Sequence, residues 1–182
     1  MKKHPLAFID LETTGLNPDT HEIIEIGCLV VRQPLTVGGN FEVVDELDIK
    51  VKPRHLETAD PEALRINGYN DAGWLFAAEL PQALAVLAQK TEGAMMVAQN
   101  VTFDWSFLHR TFAETKIENK MYFPKIDLIS LAFGKLYNDP RVERYNLREL
   151  ARFFEVPNEK AHSAMSDTKT AFEIYKKLIT LP

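Results

Sequence analysis

The order of apolar segments along the chain is the feature that most restricts its fold. Residues 6–12, 22–31 and 41–51 are apolar or alternating runs of strand length. The stretches between them, 13–21 and 32–40, are short and rich in turn-forming residues. Three consecutive strands joined by short connections predict an antiparallel meander.

After this meander the pattern changes to helices that alternate with strands. Residues 60–67 open with Asp-Pro, a frequent helix start, and residues 79–90 carry apolar residues at helical spacing. Residues 94–100 and 122–128 are short apolar runs typical of strands. Further helices are predicted at 103–114, 128–137, 145–154 and 164–179. This order predicts an α/β fold in which helices pack on the faces of a mixed sheet.

The composition indicates one domain in a reducing compartment. The 182 residues are 46% apolar, enough for one sizeable core, and no repeat or linker divides them, so we expect a single domain over residues 1–182. The single cysteine, Cys28, lies in an apolar stretch and is expected to be a buried hydrophobic residue. Because the chain has neither a signal-peptide pattern nor an apolar run of about eighteen residues, we expect a cytoplasmic protein without a membrane partner.

Two carboxylates, Asp10 and Glu12, interrupt the first apolar strand. Residues two apart in a strand point to the same face, so these like charges would lie close together. Such a pair is unfavourable unless the two share a proton or are neutralised by cationic groups or metal ions. The motif alone leaves open a simpler interpretation, in which both carboxylates lie at a strand end and face water.

Two later stretches add to this pair. Asp104 follows a predicted strand at the start of a helix, where its carboxylate can point back toward the first strand. His162 precedes the last helix, and Asp167 lies five residues later in the first turns of that helix. Asp104 or Asp167 alone is explained by the preference of carboxylates for helix starts, and His162 alone by a surface or turn position, so only the whole set in this order indicates a shared site.

The stretches "FIDLETTGL", "NVTFDWSFL" and "HSAMSD" resemble the three motifs of the DnaQ-like 3'-5' exonucleases. This is the DEDDh group, which includes the epsilon subunit of DNA polymerase III, ribonuclease T and oligoribonuclease. The resemblance implies a ribonuclease-H-like α/β fold. Its mixed five-stranded sheet, an antiparallel three-strand meander plus two parallel strands, is flanked by helices. The resemblance also implies metal binding by Asp10, Glu12, Asp104 and Asp167, with His162 as general base.

The chemistry of this family suits these residue types. The resemblance implies two divalent cations, Mg²⁺ or Mn²⁺, and carboxylates are the natural ligands of both ions. A neutral histidine can take the proton of the attacking water during phosphodiester hydrolysis, and nucleoside 5'-monophosphates are the implied products. The net charge of -5 argues against binding long stretches of nucleic acid, but the two cations add about four positive charges at the strand end.

The resemblance further implies a groove for the terminal nucleotide. Its predicted substrate-binding residues follow the first acids or precede the third: Thr13, Gly15, Leu16, Asn100 and Phe103. Many family members have His-Asn where this chain has Gln99-Asn100, a change that bears on substrate preference.

The sequence leaves several alternatives open. Beside an active exonuclease stand a catalytically silent module that binds nucleic-acid ends or a protein, and a different phosphoesterase or endonuclease on the same scaffold. The expected partner is the single-stranded 3' end of DNA or RNA, and the sequence does not separate the two, because no residue type announces contact with a 2'-hydroxyl. Homodimer formation, polymerase association and the physiological role are equally open.

Overall fold

In the computed structural model, which describes residues 3–36, 38–157 and 163–181, five strands form one sheet in the order β3-β2-β1-β4-β5. The strands are β1 (Leu6–Thr13), β2 (Ile23–Arg32), β3 (Glu42–Lys50), β4 (Met95–Ala98) and β5 (Tyr122–Asp127). The first three pair antiparallel, whereas β4 pairs parallel with β1 and β5 pairs parallel with β4. The predicted meander plus two parallel strands is therefore confirmed.

Helices flank the sheet on both faces. They are α1 (Pro61–Asn67), α2 (Leu80–Lys90), α3 (Val101–Thr115), α4 (Leu128–Leu136), α5 (Leu147–Phe153) and α6 (Ala164–Thr180). A 3-10 turn at Leu56–Thr58, which the sequence did not indicate, precedes α1. Among the described residues, no helix combines the length and the apolar character needed to cross a membrane.

Polar caps explain where several helices begin. Asp60 accepts a hydrogen bond from the Glu62 N–H and places Pro61 at the first position of α1. The prediction for α3 was wrong by two residues, since the helix begins at Val101 rather than at residue 103. The earlier start is explained by a residue distant in sequence: the Asp127 carboxylate accepts a hydrogen bond from the Val101 N–H at 3.0 Å.

The central strand β1 is buried on both faces. Ile9 and Leu11 belong to the core between the sheet and helices α2 and α3. Phe8 belongs to the core beneath α4, α5 and α6, where its ring lies 5.1 Å from that of Phe172 and 5.3 Å from that of Tyr175. Two packed layers of this kind hold β1 rigidly, so the side chains at its carboxyl end are presented from a fixed support.

Candidate active site

The first two acids lie on β1 beyond the point where it pairs with β4. Ile9 and Leu11 point into the α2–α3 core, so Asp10 and Glu12 share the opposite face with Phe8, beneath α6. Pairing between β1 and β4 ends at Phe8, while pairing with β2 continues to the end of β1. The two acids therefore lie at the carboxyl ends of the parallel strands, where open α/β sheets commonly bind ligands.

Asp167 joins these acids from α6. It lies in the first turn of that helix, where its backbone N–H donates to the Ser163 carbonyl at 3.0 Å. One carboxylate oxygen from each of Asp10, Glu12 and Asp167 lies within 4.8 Å of the other two. Three carboxylate oxygens at this spacing are suitable ligands for a hard divalent cation.

Asp104 lies beside this group without forming part of it. The residue is 2% exposed in the first turn of α3. Its Oδ1 accepts a hydrogen bond at 3.1 Å from the backbone N–H of Leu11, the residue between the first two acids. The carboxylate is thus fixed against the backbone of β1, next to the side chains of Asp10 and Glu12.

Burial and mutual repulsion raise the pKa values of these acids. Burial raises the pKa of Asp10 and of Asp104 well above the usual range, and repulsion from neighbouring carboxylates adds to the shift. Burial, followed by repulsion from Asp167 and Glu25, raises the pKa of Glu12 to about 7. Within the described part of the chain, no lysine or arginine forms an ion pair with Asp10, Glu12 or Asp104. A divalent cation would supply positive charge here, so these residues fit a metal site.

Glu25 is a further buried acid, which the sequence did not indicate as a site residue. It lies on β2 directly opposite Glu12 in the β1–β2 register and is 5% exposed. Its carboxylate accepts the backbone N–H of Ala164, at the start of α6, at 2.9 Å. An acid inside the apolar run 22–31 is the same signal that marked Asp10, so strand alternation could have found it.

The turn after β1 holds three of the predicted substrate-binding residues. The Thr13 hydroxyl donates to the Gly15 carbonyl at 2.7 Å. A Cβ at Gly15 would lie 2.5 Å from the His21 ring, so a larger residue there would displace that ring. Leu16 is 78% exposed and accessible to a ligand. Contact of these residues with substrate stays a prediction.

Residues just before and within α1 hydrogen-bond to this turn. The sequence did not indicate this contact. The Asp60 N–H donates to the Thr14 carbonyl at 2.7 Å. The buried Asn67 donates from Nδ2 to the Thr13 carbonyl at 3.0 Å. The carboxyl end of β1 is therefore held by side-chain and backbone bonds from outside the sheet.

Asn100 and Phe103 lie at the start of α3. Asn100 has φ 61° and ψ 61°, a left-handed conformation that turns the chain from β4 into the helix. Phe103 is half-buried, with its ring 5.1 Å from that of Phe107, so part of it serves the core. Their contact with substrate also stays a prediction.

Of two further residues that the motifs indicated, the structure describes Gln99 but not His162. Gln99, which stands at the position of the more usual histidine, donates from Nε2 to the Tyr145 carbonyl at 2.7 Å and ties the end of β4 to the segment before α5. His162, the predicted general base, lies outside the described residues. Its role stays a prediction.

Comparison with known proteins gives consistent relatives. The PolC-type DNA polymerase III of Caldanaerobacter subterraneus is 30% identical over 93% of this chain and 11% of that protein. The DNA polymerase III subunit epsilon of Salmonella typhimurium is 30% identical over 92% of this chain and 68% of the subunit. The crystal structure of E. coli exonuclease I with a dA16 oligonucleotide superposes with a TM-score of 0.79 and 18% identity, covering 98% of this chain and 41% of that one. The chain thus spans about a tenth of the PolC-type relative and less than half of exonuclease I.

The structural likeness concerns the fold, and it confirms the ribonuclease-H-like arrangement that the motifs implied. The family model for exonucleases of the RNase T type matches residues 7–175. That span contains all four acids of the predicted site, Asp10, Glu12, Asp104 and Asp167. The resemblance to the DnaQ-like exonucleases is confirmed as well, and the chain belongs to the exonuclease family.

Proposed function

We propose that residues 1–182 form one domain that acts as a metal-dependent 3'-5' exonuclease. It would hydrolyse phosphodiester bonds at the 3' end of single-stranded DNA or RNA and release nucleoside 5'-monophosphates. The observation that carries this proposal is the group formed by Asp10, Glu12 and Asp167, whose carboxylate oxygens lie within 4.8 Å of one another in a member of the exonuclease family.

The proposed cofactor is a pair of divalent cations, Mg²⁺ or Mn²⁺. Asp10, Glu12 and Asp167 would hold the first, and Asp104, buried against the backbone of β1, would complete the ligand set. When bound, the cations stabilise negative charge on the attacking and leaving oxygens of the phosphodiester. The chain contributes a support that does not need to rearrange, because β1 is packed on both faces.

His162 is proposed as the general base. It is joined through Ser163 to the start of α6, the helix that carries Asp167 in its first turn. A neutral imidazole there would take the proton of the attacking water. Replacement His162→Ala should lower the hydrolysis rate by at least about 100-fold, the usual range for a general base; a rate within a few-fold of the wild type would refute the role.

The substrate is proposed to be a single-stranded 3' end. E. coli exonuclease I, which shares the fold, crystallises with dT13 and dA16 oligonucleotides, and the epsilon relative is a polymerase subunit. In this chain the exposed Leu16 would contact the terminal base, with Thr13, Asn100 and Phe103 beside it. A sequence-tolerant contact of this kind uses apolar and aromatic surface rather than base-specific hydrogen bonds.

The test uses purified protein with 5'-labelled single-stranded DNA and RNA of equal sequence. Reactions contain Mg²⁺, Mn²⁺ or EDTA, and Asp10→Asn is compared with Glu118→Gln, an exposed acid remote from the carboxyl end of β1. We expect a metal-dependent ladder that shortens from the 3' end, is lost in Asp10→Asn and is retained in Glu118→Gln. Substrate that is bound but left intact with either metal would favour the silent binding module, and cleavage of a circular strand would favour an endonuclease.

A further inference from the structure

The buried carboxylate of Glu25 has no part in the proposed chemistry. It lies inside an otherwise apolar strand, opposite Glu12, and faces α6. Burying a carboxylate beside other carboxylates is unfavourable unless it makes specific hydrogen bonds. In the part of the chain that the structure describes, Glu25 is outside the three-acid group that could hold a metal ion.

Its hydrogen bonds go to the start of α6. Oε1 accepts the Ala164 N–H at 2.9 Å and lies 3.4 Å from the Ser163 hydroxyl, which donates to it. Ser163 occupies the cap position of α6, yet its own side chain caps no N–H of the helix. Glu25 therefore supplies from β2 the cap that helices usually receive from their own sequence, and its negative charge suits the helix N-terminus.

Two residues along the strand, Gly27 continues this contact. A Cβ at Gly27 would lie 2.3 to 2.5 Å from backbone atoms of Ala164 and Met165, so the helix packs directly on the strand. The Thr168 hydroxyl also donates to the Gly27 carbonyl at 3.2 Å. The start of α6 is thus held on β2 by two residues, Glu25 through its carboxylate and Gly27 through close packing and its carbonyl.

This turn is the one that carries Asp167. The strand β2 also pairs with β1, where Glu12 lies opposite Glu25. It therefore contacts both the strand that carries Asp10 and Glu12 and the helix that carries Asp167. We propose that Glu25 is a positioning residue that sets Asp167 at the distance from Asp10 and Glu12 that a divalent cation requires. This inference rests on the proposed function insofar as it takes these three acids as the metal site.

Metal affinity should be sensitive to this contact. Mn²⁺, like Mg²⁺, favours octahedral sites of oxygen ligands, so a displacement of the Asp167 carboxylate from its ligand position weakens binding. A residue that only stabilised the fold would leave the affinity of the folded molecules unchanged.

The test compares Glu25→Ala, Glu25→Gln and Glu25→Asp with the control Glu42→Ala. Glu42 is an exposed residue at the far end of the sheet. Mn²⁺ binding is measured by calorimetry on substrate-free protein, with circular dichroism to check folding. The Mn²⁺ concentration for half-maximal hydrolysis and the KM for a labelled oligonucleotide at saturating Mn²⁺ are measured in parallel.

Glu25→Ala should weaken Mn²⁺ binding at least tenfold with little change in KM. Glu25→Gln should stay within threefold of the wild type, because its amide oxygen accepts the same two hydrogen bonds. Glu25→Asp keeps the charge but is one methylene too short, so we expect at least a threefold loss. This ordering, with Gln better than Asp, keeps the test decisive if Glu25→Ala fails to fold.

The inference is overturned if Glu25→Ala and Glu25→Asp bind Mn²⁺ as the wild type does, or if Glu25→Gln is as impaired as either. Calorimetry separates it from the proposed function. If the wild type binds Mn²⁺ but hydrolyses no oligonucleotide, the exonuclease proposal fails while the ordering of the variants still tests Glu25.

Discussion

Replacing Gly27 with alanine should displace the helix that carries Asp167. The added Cβ would lie 2.3 Å from the carbonyl carbon of Ala164, whereas ordinary contact begins at 3.4 Å. The first turn of α6 must therefore retreat by about 1 Å, because the contact is with backbone that cannot rotate away. Overpacking of this kind costs about 1–3 kcal/mol of unfolding free energy. A misplacement of about 1 Å at a catalytic group can cost roughly 100-fold in rate.

The assay is urea unfolding together with the rate of 3'-terminal hydrolysis at saturating Mn²⁺. Gly134→Ala is the matched control, since Gly134 lies in α4 with nothing within 4 Å of an added Cβ. That control should keep its rate and gain up to about 1 kcal/mol, because alanine favours a helix interior over glycine. If Gly27→Ala keeps both the stability and the rate of the wild type, the close packing of α6 on β2 is refuted.

In EDTA, the free energy of unfolding should rise as the pH falls from 8 toward 5. The folded protein binds the proton of Glu12 more tightly than the unfolded chain does, with a pKa raised from 4.5 to about 7, so this stabilisation is complete below 4.5 and is lost as the pH rises through 7. Thermal melts should show a melting temperature that rises as the pH falls, and Glu12→Gln should reduce this dependence. A melting temperature that falls over the same range would contradict the prediction. Burial raises the pKa of the Cys28 thiol to about 12, so DTNB should react with it only after denaturation, and rapid labelling of the native protein would contradict this burial. Asn100→Ala should lower the unfolding free energy in urea by about 1 kcal/mol and Asn100→Gly by less, because the backbone there is left-handed; equal costs would point to a lost side-chain contact instead.

Local pattern was sufficient for the strands and for the first half of the site. The alternation in β1 predicted that Asp10 and Glu12 share a face, because side chains in a strand alternate whatever surrounds them. The same alternation in β2 marks Glu25. Local pattern does not predict the start of α3, because the first residue of that helix is fixed by Asp127, a side chain 26 residues away.

Periodicity and motifs were enough to predict the strands and helices, the four acids that they carry and, through the resemblance, the exonuclease family. The folded structure adds the contacts that form the site: Asp167 lies with Asp10 and Glu12, Asp104 is hydrogen-bonded to the backbone of Leu11, and Glu25 caps α6 from β2. Periodicity follows from the geometry of one backbone segment, whereas the meeting of distant side chains depends on close packing between segments, which no single segment encodes.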